Sequence, residues 1–257
     1  MEEIITELSA NVLRVQLNRP SKKNAMTLAM YAALAEELDR ADKNDEVRVV
    51  LVHGAGDSFT AGNDIADFVS HPPGPGDSPQ VRFLDALIRF SKPLVAAVHG
   101  FAVGGGTTML LHFDFVYAAE SARFQVPFIN LALVPELASS YTMPTQLGYL
   151  RAAEMILLGE PCSAARANEF GLVTAVVPDQ NVWEKAAEVA MKLAGKPAEA
   201  LRSCKKLIKA PEQDSLRQAV SRELSEFAVR VQSAEAKEAF AAFLGKRKPD
   251  YSKAKAS

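Results

Sequence analysis

The sequence predicts an α/β protein built on a parallel sheet, and three observations predict it. Two short apolar runs rich in β-branched residues, VRVVLV (47–52) and PLVAAVHG (93–100), are stopped by glycine and read as strands buried on both faces. Amphipathic helical segments lie before and between them, so strand and helix alternate as a parallel sheet with crossovers requires. Beyond Pro178 the pattern becomes helical almost throughout.

Taken in order, residues 12–17 (VLRVQL) alternate apolar and polar and predict an opening strand, which NRPSKKNAMT ends as a basic, turn-rich break. From Leu28 to Ala41 the positions Leu28, Tyr31, Ala32, Leu34, Ala35 and Leu38 recur at three and four, the spacing of one helix face. After VRVVLV comes a loop in two parts, GDSFTAGNDIADF and then His71–Pro79, whose four prolines and two glycines argue against regular structure and for a mobile segment. A helix over Val81–Phe90 leads into PLVAAVHG. GFAVGGGTTMLLHFDFVYA then reads as a glycine-rich turn, a short helix and a strand from Phe113 to Ala118. The tail predicts helices over 179–194, 197–209 and 213–243, the last broken near Ser233. We divide the chain into a core, 1–195, and a helical region, 196–257. No repeat of fixed period occurs.

Composition excludes several function classes. With 257 residues, 48% hydrophobic, the chain can bury one large core or two small ones. Basic and acidic residues number 29 and 31, so no nucleic-acid partner is expected, and the basic surplus gathers over 181–257, with 16 basic against 10 acidic residues. Two cysteines, Cys162 and Cys204, lack zinc spacing and read as reduced thiols. MEEIITEL is acidic where a leader would be basic, and KAKAS is no peroxisomal signal, which makes a cytoplasmic location the expectation. Residues 93–113 lack Asp, Glu, Lys and Arg and are long enough to span a bilayer. Pro93, His99, His112 and the glycines Gly100 and Gly104–Gly106 argue instead for strand, tight loop and buried helix, so no membrane span is expected.

Most catalytic motifs are missing. The four histidines, His53, His71, His99 and His112, form no HExxH and no i,i+4 pair near a third ligand, so no metal is expected. There is no G-x-S-x-G, and Ser139-Ser140 read as helix-start residues. GAGDSF imitates the opening of a dinucleotide fingerprint, but Phe59 replaces its third glycine. What remains is a pair of glycine loops at the ends of two successive buried strands, SFTAGNDIADF and HGFAVGGGTT. Open α/β sheets place ligands outside the carboxyl ends of their strands, where loop N–H groups and helix starts favour negative charge. Together the loops would make an oxyanion hole, although Gly104–Gly106 alone reads equally as a tight turn against a packed helix. Glu136 is the one charged residue between Phe124 and Leu150, and apolar surroundings would raise its pKa. From pattern alone, an exposed glutamate in a helical first turn is the simpler reading.

The run F-T-A-G-N-D-I, then PLVAAVHG, G-x-x-x-G-G-G and FDFVYAAESARFQVPF resembles the crotonase superfamily, the enoyl-CoA hydratase and isomerase family, from NRPSKKNAM to FLGKRKPDY. The resemblance implies a crotonase-like spiral of β-β-α units, a helical C-terminal trimerisation region, a homotrimer or dimer of trimers, and acyl-CoA thioester substrates with no cofactor beyond their own coenzyme A. Carried over, the hole's donors are the backbone N–H of Asn63, after Ala61-Gly62, and of Gly105. Two fixed N–H donors stabilise the enolate oxygen formed when a proton leaves the carbon beside the thioester. Asp64 then caps a helix beginning near Ile65. Alternatively, Asn63 serves only to tolerate an unusual turn dihedral.

The resemblance also bears on the reaction. Hydratases of the family hold water between two glutamates, and the matching positions here are Thr108 and Phe128. P-E-x-x-S-S-x-x-x-P resembles the segment in which monofunctional 3,2-enoyl-CoA isomerases carry one catalytic glutamate, which implies Glu136 as a proton shuttle between C2 and C4. Lys22 and Lys23, with Phe243 and Lys246 of FLGKRKP, are expected near the coenzyme A phosphates and adenine, unless these lysines are solvated surface charges. By position, Ala61, Ile65, Phe68, Leu84, Leu87, Phe128 and Leu133 are expected along the acyl group, under the proline loop as a lid. Two alternatives stand beside the isomerase: a crotonase-like protein that binds acyl-CoA or assembles without chemistry, and an enoyl-CoA hydratase.

Overall fold

The alternation of VLRVQL becomes β2 (Val12–Leu17), and a strand the sequence concealed precedes it, β1 (Ile4–Ser9), paired antiparallel to β2. All of β1 except Ile4 is exposed, so it carries no apolar alternation to read. The computed structural model describes residues 2–70 and 78–253; the expected lid lies outside them apart from Ser78 and Pro79, as does the side chain of Phe68.

α1 (Leu28–Lys43) starts where Thr27 accepts a hydrogen bond from the Met30 N–H at 3.2 Å, and it buries Met30, Tyr31, Leu34 and Leu38. β3 (Val49–Gly54) follows, then α2 (Ile65–Ser70) and α3 (Pro79–Arg89). α3 begins two residues earlier than the periodicity predicts, because Ser78 caps it and proline suits a first helical position. It packs on α1, with the Tyr31 and Phe83 ring centroids 5.5 Å apart. β4 (Leu94–Val98) is buried throughout.

The main sheet has the order β1-β2-β3-β4-β6-β9, where β6 is Phe115–Ala119 and β9 is Ala175–Val177, and every pair except β1–β2 is parallel. The glycine-rich segment after β4 holds more than a turn. Phe101–Val103 form β5, which joins β7 (Arg123–Gln125) and β8 (Cys162–Ser163) in a second, three-stranded sheet, and α4 (Gly105–Thr108) follows. Residues 93–113 are thus divided among β4, β5, α4 and a 3₁₀ turn, and among the described residues no helix is long and apolar enough to cross a membrane.

α5 (Ser139–Leu147), α6 (Tyr149–Leu158) and α7 (Ala164–Phe170) precede β9. α8 (Val182–Ala194) lies across β3, β4 and β6, its fully buried Ala186 and Ala190 letting it approach the sheet closely. The tail folds as α9 (Ala198–Lys209), α10 (Gln213–Arg230) and α11 (Ala234–Leu244), with the break where Ser233 caps α11. α9 is tied to the core by Lys205, whose ammonium donates to the Lys92 carbonyl at 2.6 Å and the Asp114 carboxylate at 2.7 Å.

Candidate active site

The two glycine loops meet. Parallel bridges join Thr60 to Ala102 and Met26 to Asn63, so the first loop lies between residues 24–26 and β5. Gly62 has φ +83, and a Cβ there would come within 2.5 Å of the Val103 carbonyl oxygen, so only glycine allows this approach. The Met26 N–H donates to the Gly62 carbonyl at 2.7 Å, and the Asp64 N–H to the Met26 carbonyl at 2.9 Å. The Asn63 amide between them donates to no group among the described residues. The same holds for Gly105, whose N–H opens α4 where no intrahelical acceptor exists. Both residues line one cleft of about 420 Å³.

Asp64 caps α2, its Oδ1 accepting from the Ala66 and Asp67 amides at 3.1 and 3.3 Å, and its Oδ2 meets the Arg19 guanidinium at 3.0 Å. Against the effect of burial, these partners hold its carboxyl below the usual range. It is a structural acid, as its position before Ile65 predicts.

Tyr31 and Glu136 approach the hole from the protein side. The buried Tyr31 hydroxyl donates to Asn63 Oδ1 at 2.6 Å. A Cβ on Gly105 would lie 2.7 Å from that hydroxyl and 3.3 Å from Glu136 Oε1, which places the carboxyl group beside the hole. Thr108 Oγ1 donates to Glu136 Oε1 at 3.0 Å. Desolvation pushes the Glu136 carboxyl up to about 7, while the Thr108 hydrogen bond pulls it down and the Glu223 charge pushes it up. The turn after it carries positive φ at Leu137 (54) and Ala138 (59). His112 Nε2 donates to the Leu137 carbonyl at 2.8 Å, and burial lowers that imidazole to about 4, so it is neutral at pH 7. A carboxyl group that titrates near neutrality therefore stands beside Gly105, which shares one cleft with Asn63, an arrangement suited to moving a proton next to a carbonyl whose oxygen the two amides would hold.

The expected binding residues divide. Lys22, Ala61, Ile65, Phe128, Leu133 and Phe243 line the cleft. Leu87 does not: it is buried among Leu34, Phe83, Leu94 and Met109, around a small interior void between helices and sheet, because the apolar face of α3 packs on α1. Leu84 is buried on the same face of α3. Lys23 is exposed, its ammonium 4.7 Å from the centroid of the Phe101 ring, and Lys246 is exposed beyond α11; neither lines the cleft. Sequence reasoning missed Tyr31, which α1 periodicity presents as an ordinary apolar position, and the wall supplied by Phe227 and Leu244 from the tail helices.

Comparison with known proteins follows the same geometry. Residues 7–254 match the family model described as enoyl-CoA hydratase/isomerase. The chain is 34% identical to 1,2-epoxyphenylacetyl-CoA isomerase of Escherichia coli, over 98% of each protein. It is 38% identical to enoyl-CoA delta isomerase 2 of Rattus norvegicus, over 83% of this chain and 56% of the rat protein. The solved enoyl-CoA hydratase/isomerase of Pseudoalteromonas atlantica superposes with a TM-score of 0.92 at 40% identity, covering 97% of this chain and 99% of that one.

Proposed function

The chain belongs to the enoyl-CoA hydratase/isomerase family and has the crotonase fold, and from that premise we propose that it moves the double bond of 3-enoyl-CoA thioesters to the 2-position. Glu136 as carboxylate takes a proton from C2. The amides of Asn63 and Gly105 hold the oxygen of the resulting dienolate, and protonated Glu136 returns the proton at C4. A single group serves both steps, so water takes no part and the chemistry calls for no cofactor beyond the substrate's coenzyme A.

One observation carries this reading: a carboxyl raised to about 7 beside Gly105, with Thr108 and Phe128 where a hydratase would hold its two glutamates. Thr108 donates to Glu136 and Phe128 forms apolar wall, so neither activates water. The test is incubation of the purified protein with 3-hexenoyl-CoA and 2-hexenoyl-CoA, with isomer and 3-hydroxy product scored separately. The expected result is isomer alone; hydroxy product at a comparable rate overturns the proposal in favour of a hydratase, and neither product favours an acyl-CoA-binding role.

A second reading rests on the E. coli relative matched along almost its whole length. One acid beside an oxyanion hole also suits isomerisation of an epoxide thioester, and 1,2-epoxyphenylacetyl-CoA in the same assay separates the two. The proposal extends to a homotrimer or a dimer of trimers. Leu207 and Ile208 of α9 are 74% and 77% exposed, apolar surface that a second copy would cover, and sedimentation equilibrium should return three or six chain masses.

A further inference from the structure

α5 begins three residues after Glu136, and it lacks a cap of its own. Its N-cap residue is Ala138, in the left-handed region, with no side-chain acceptor for the first amides. The one hydroxyl in the turn buried close enough to help, Ser139 Oγ, has no hydrogen-bond partner. The acceptors come instead from 85 residues away in the chain: Glu223 of α10, buried, takes the Ala138 N–H on Oε2 at 2.7 Å and the Ser140 N–H on Oε1 at 2.7 Å. Both oxygens accept, and burial raises the Glu223 carboxyl above its ordinary value against the downward pull of these hydrogen bonds. With His112 holding the Leu137 carbonyl, every residue from Leu137 to Ser140 except Ser139 is bonded through its main chain to a side chain of another segment.

Two consecutive non-glycine residues with positive φ persist only where the surroundings over-determine them. We propose that Glu223 is a positioning residue for the acid–base group: its carboxyl group fixes the strained turn that aims Glu136 at the oxyanion hole. The proposal rests on the reading of Glu136 as proton shuttle. A charge on Glu223 also acts upward on the Glu136 carboxyl. The other titratable group facing Glu136 is the Tyr31 hydroxyl of α1, held neutral by burial. His112 is neutral behind Leu137, with Lys209 and Lys205 beyond it, and Arg222 is the charged neighbour of Glu223 on α10.

The experiment measures kcat and KM for 3-hexenoyl-CoA between pH 5 and 9, with thermal melting, for the wild type, Glu223→Gln, Glu223→Asp and Glu136→Gln. Glu223→Gln is expected to lose about 10²-fold in kcat, as a roughly 1 Å misplacement of a catalytic group does, with KM within about twofold. Glu223→Asp keeps the carboxyl group and loses reach, so its kcat should fall as well; it also serves if Glu223→Gln fails to fold. A lower melting temperature with kcat and KM intact in either variant overturns the proposal. Full turnover in Glu136→Gln instead removes the reading beneath it, whatever Glu223 does.

Discussion

The two sides of the cleft are built by different means. On the anion side, the proposed donors are main-chain amides held largely by main chain, Met26 to Gly62, Asp64 to Met26 and Thr60 bridged to Ala102, with the Tyr31 hydroxyl on the Asn63 side chain. On the acid side, the working group is a side chain on a turn with two positive φ angles, held by side chains from the 3₁₀ turn at Met109–His112, from α4 and from α10. A stabiliser of developing charge needs fixed dipoles and little chemistry, which backbone and glycine supply. A proton carrier needs a tuned pKa, which only neighbours drawn from distant segments supply.

The sharpest way to break this comparison is Glu136→Gln. It should reduce isomerase turnover by about 10²-fold or more, while affinity for hexanoyl-CoA, a thioester with no double bond to move, measured by calorimetry, stays within about twofold. Equal losses of both would mean that the two sides are one structural unit.

Gly105→Ala attacks the other side. The added methyl meets the Tyr31 hydroxyl at 2.7 Å, so α4 must shift and the donor moves with it. The expected loss is about 10²-fold in kcat, the usual consequence of losing one oxyanion donor. Adding Tyr31→Phe removes the colliding oxygen and should recover part of that loss, so a cycle of the two substitutions measures their coupling; purely additive effects would deny the contact.

pH distinguishes the sides without mutation. In the proposed mechanism the base works as carboxylate, and the Glu136 carboxyl titrates at about 7, so kcat/KM should fall tenfold per unit as pH drops below that value and level off above it. The same raised value makes a stability statement. A carboxyl raised in the folded state favours folding in its protonated form, so its contribution worsens as pH rises from the unfolded value towards about 7 and stays adverse above it. Glu136→Gln should therefore melt higher than wild type at pH 8, by about 2–4 °C or more, and equal it near pH 4; differential scanning calorimetry reads both.

The smallest effect belongs to Thr108→Ala. Deleting the hydroxyl removes the hydrogen bond that pulls the Glu136 pKa down, so the acid limb should move to higher pH by less than about one unit, with kcat at pH 9 little changed.

How much of this was legible in the sequence follows the same division. Periodicity located β2, α1, β3, β4 and the tail helices, because each repeats one chemical contrast over several turns or residues. It passed over β1, which is exposed on nearly every residue, and β5, three residues inside a glycine-rich run. The two glycine loops that meet at the cleft could be read from adjacent residues, whereas only the resemblance singles out the Asn63 and Gly105 amides within them. Glu136 could not: pattern favoured an exposed helix start, and only the resemblance pointed to chemistry. Tyr31, His112 and Glu223 had no local sign at all, because what matters about each is a contact made across 25 to 85 residues. Leu87 was assigned by proximity along the chain, but α3 turns that face towards α1 instead.

The distance between Ala138 and Glu223 also orders events at the ribosome. Translation proceeds from the N-terminal side, and domains acquire structure as they emerge. Both amide-bearing loops are complete long before α10 exists, whereas the turn that bears the base waits for another 85 residues before its brace is synthesised. On the proposed roles, the turn that carries Glu136 gains its brace only once the helical tail has been made.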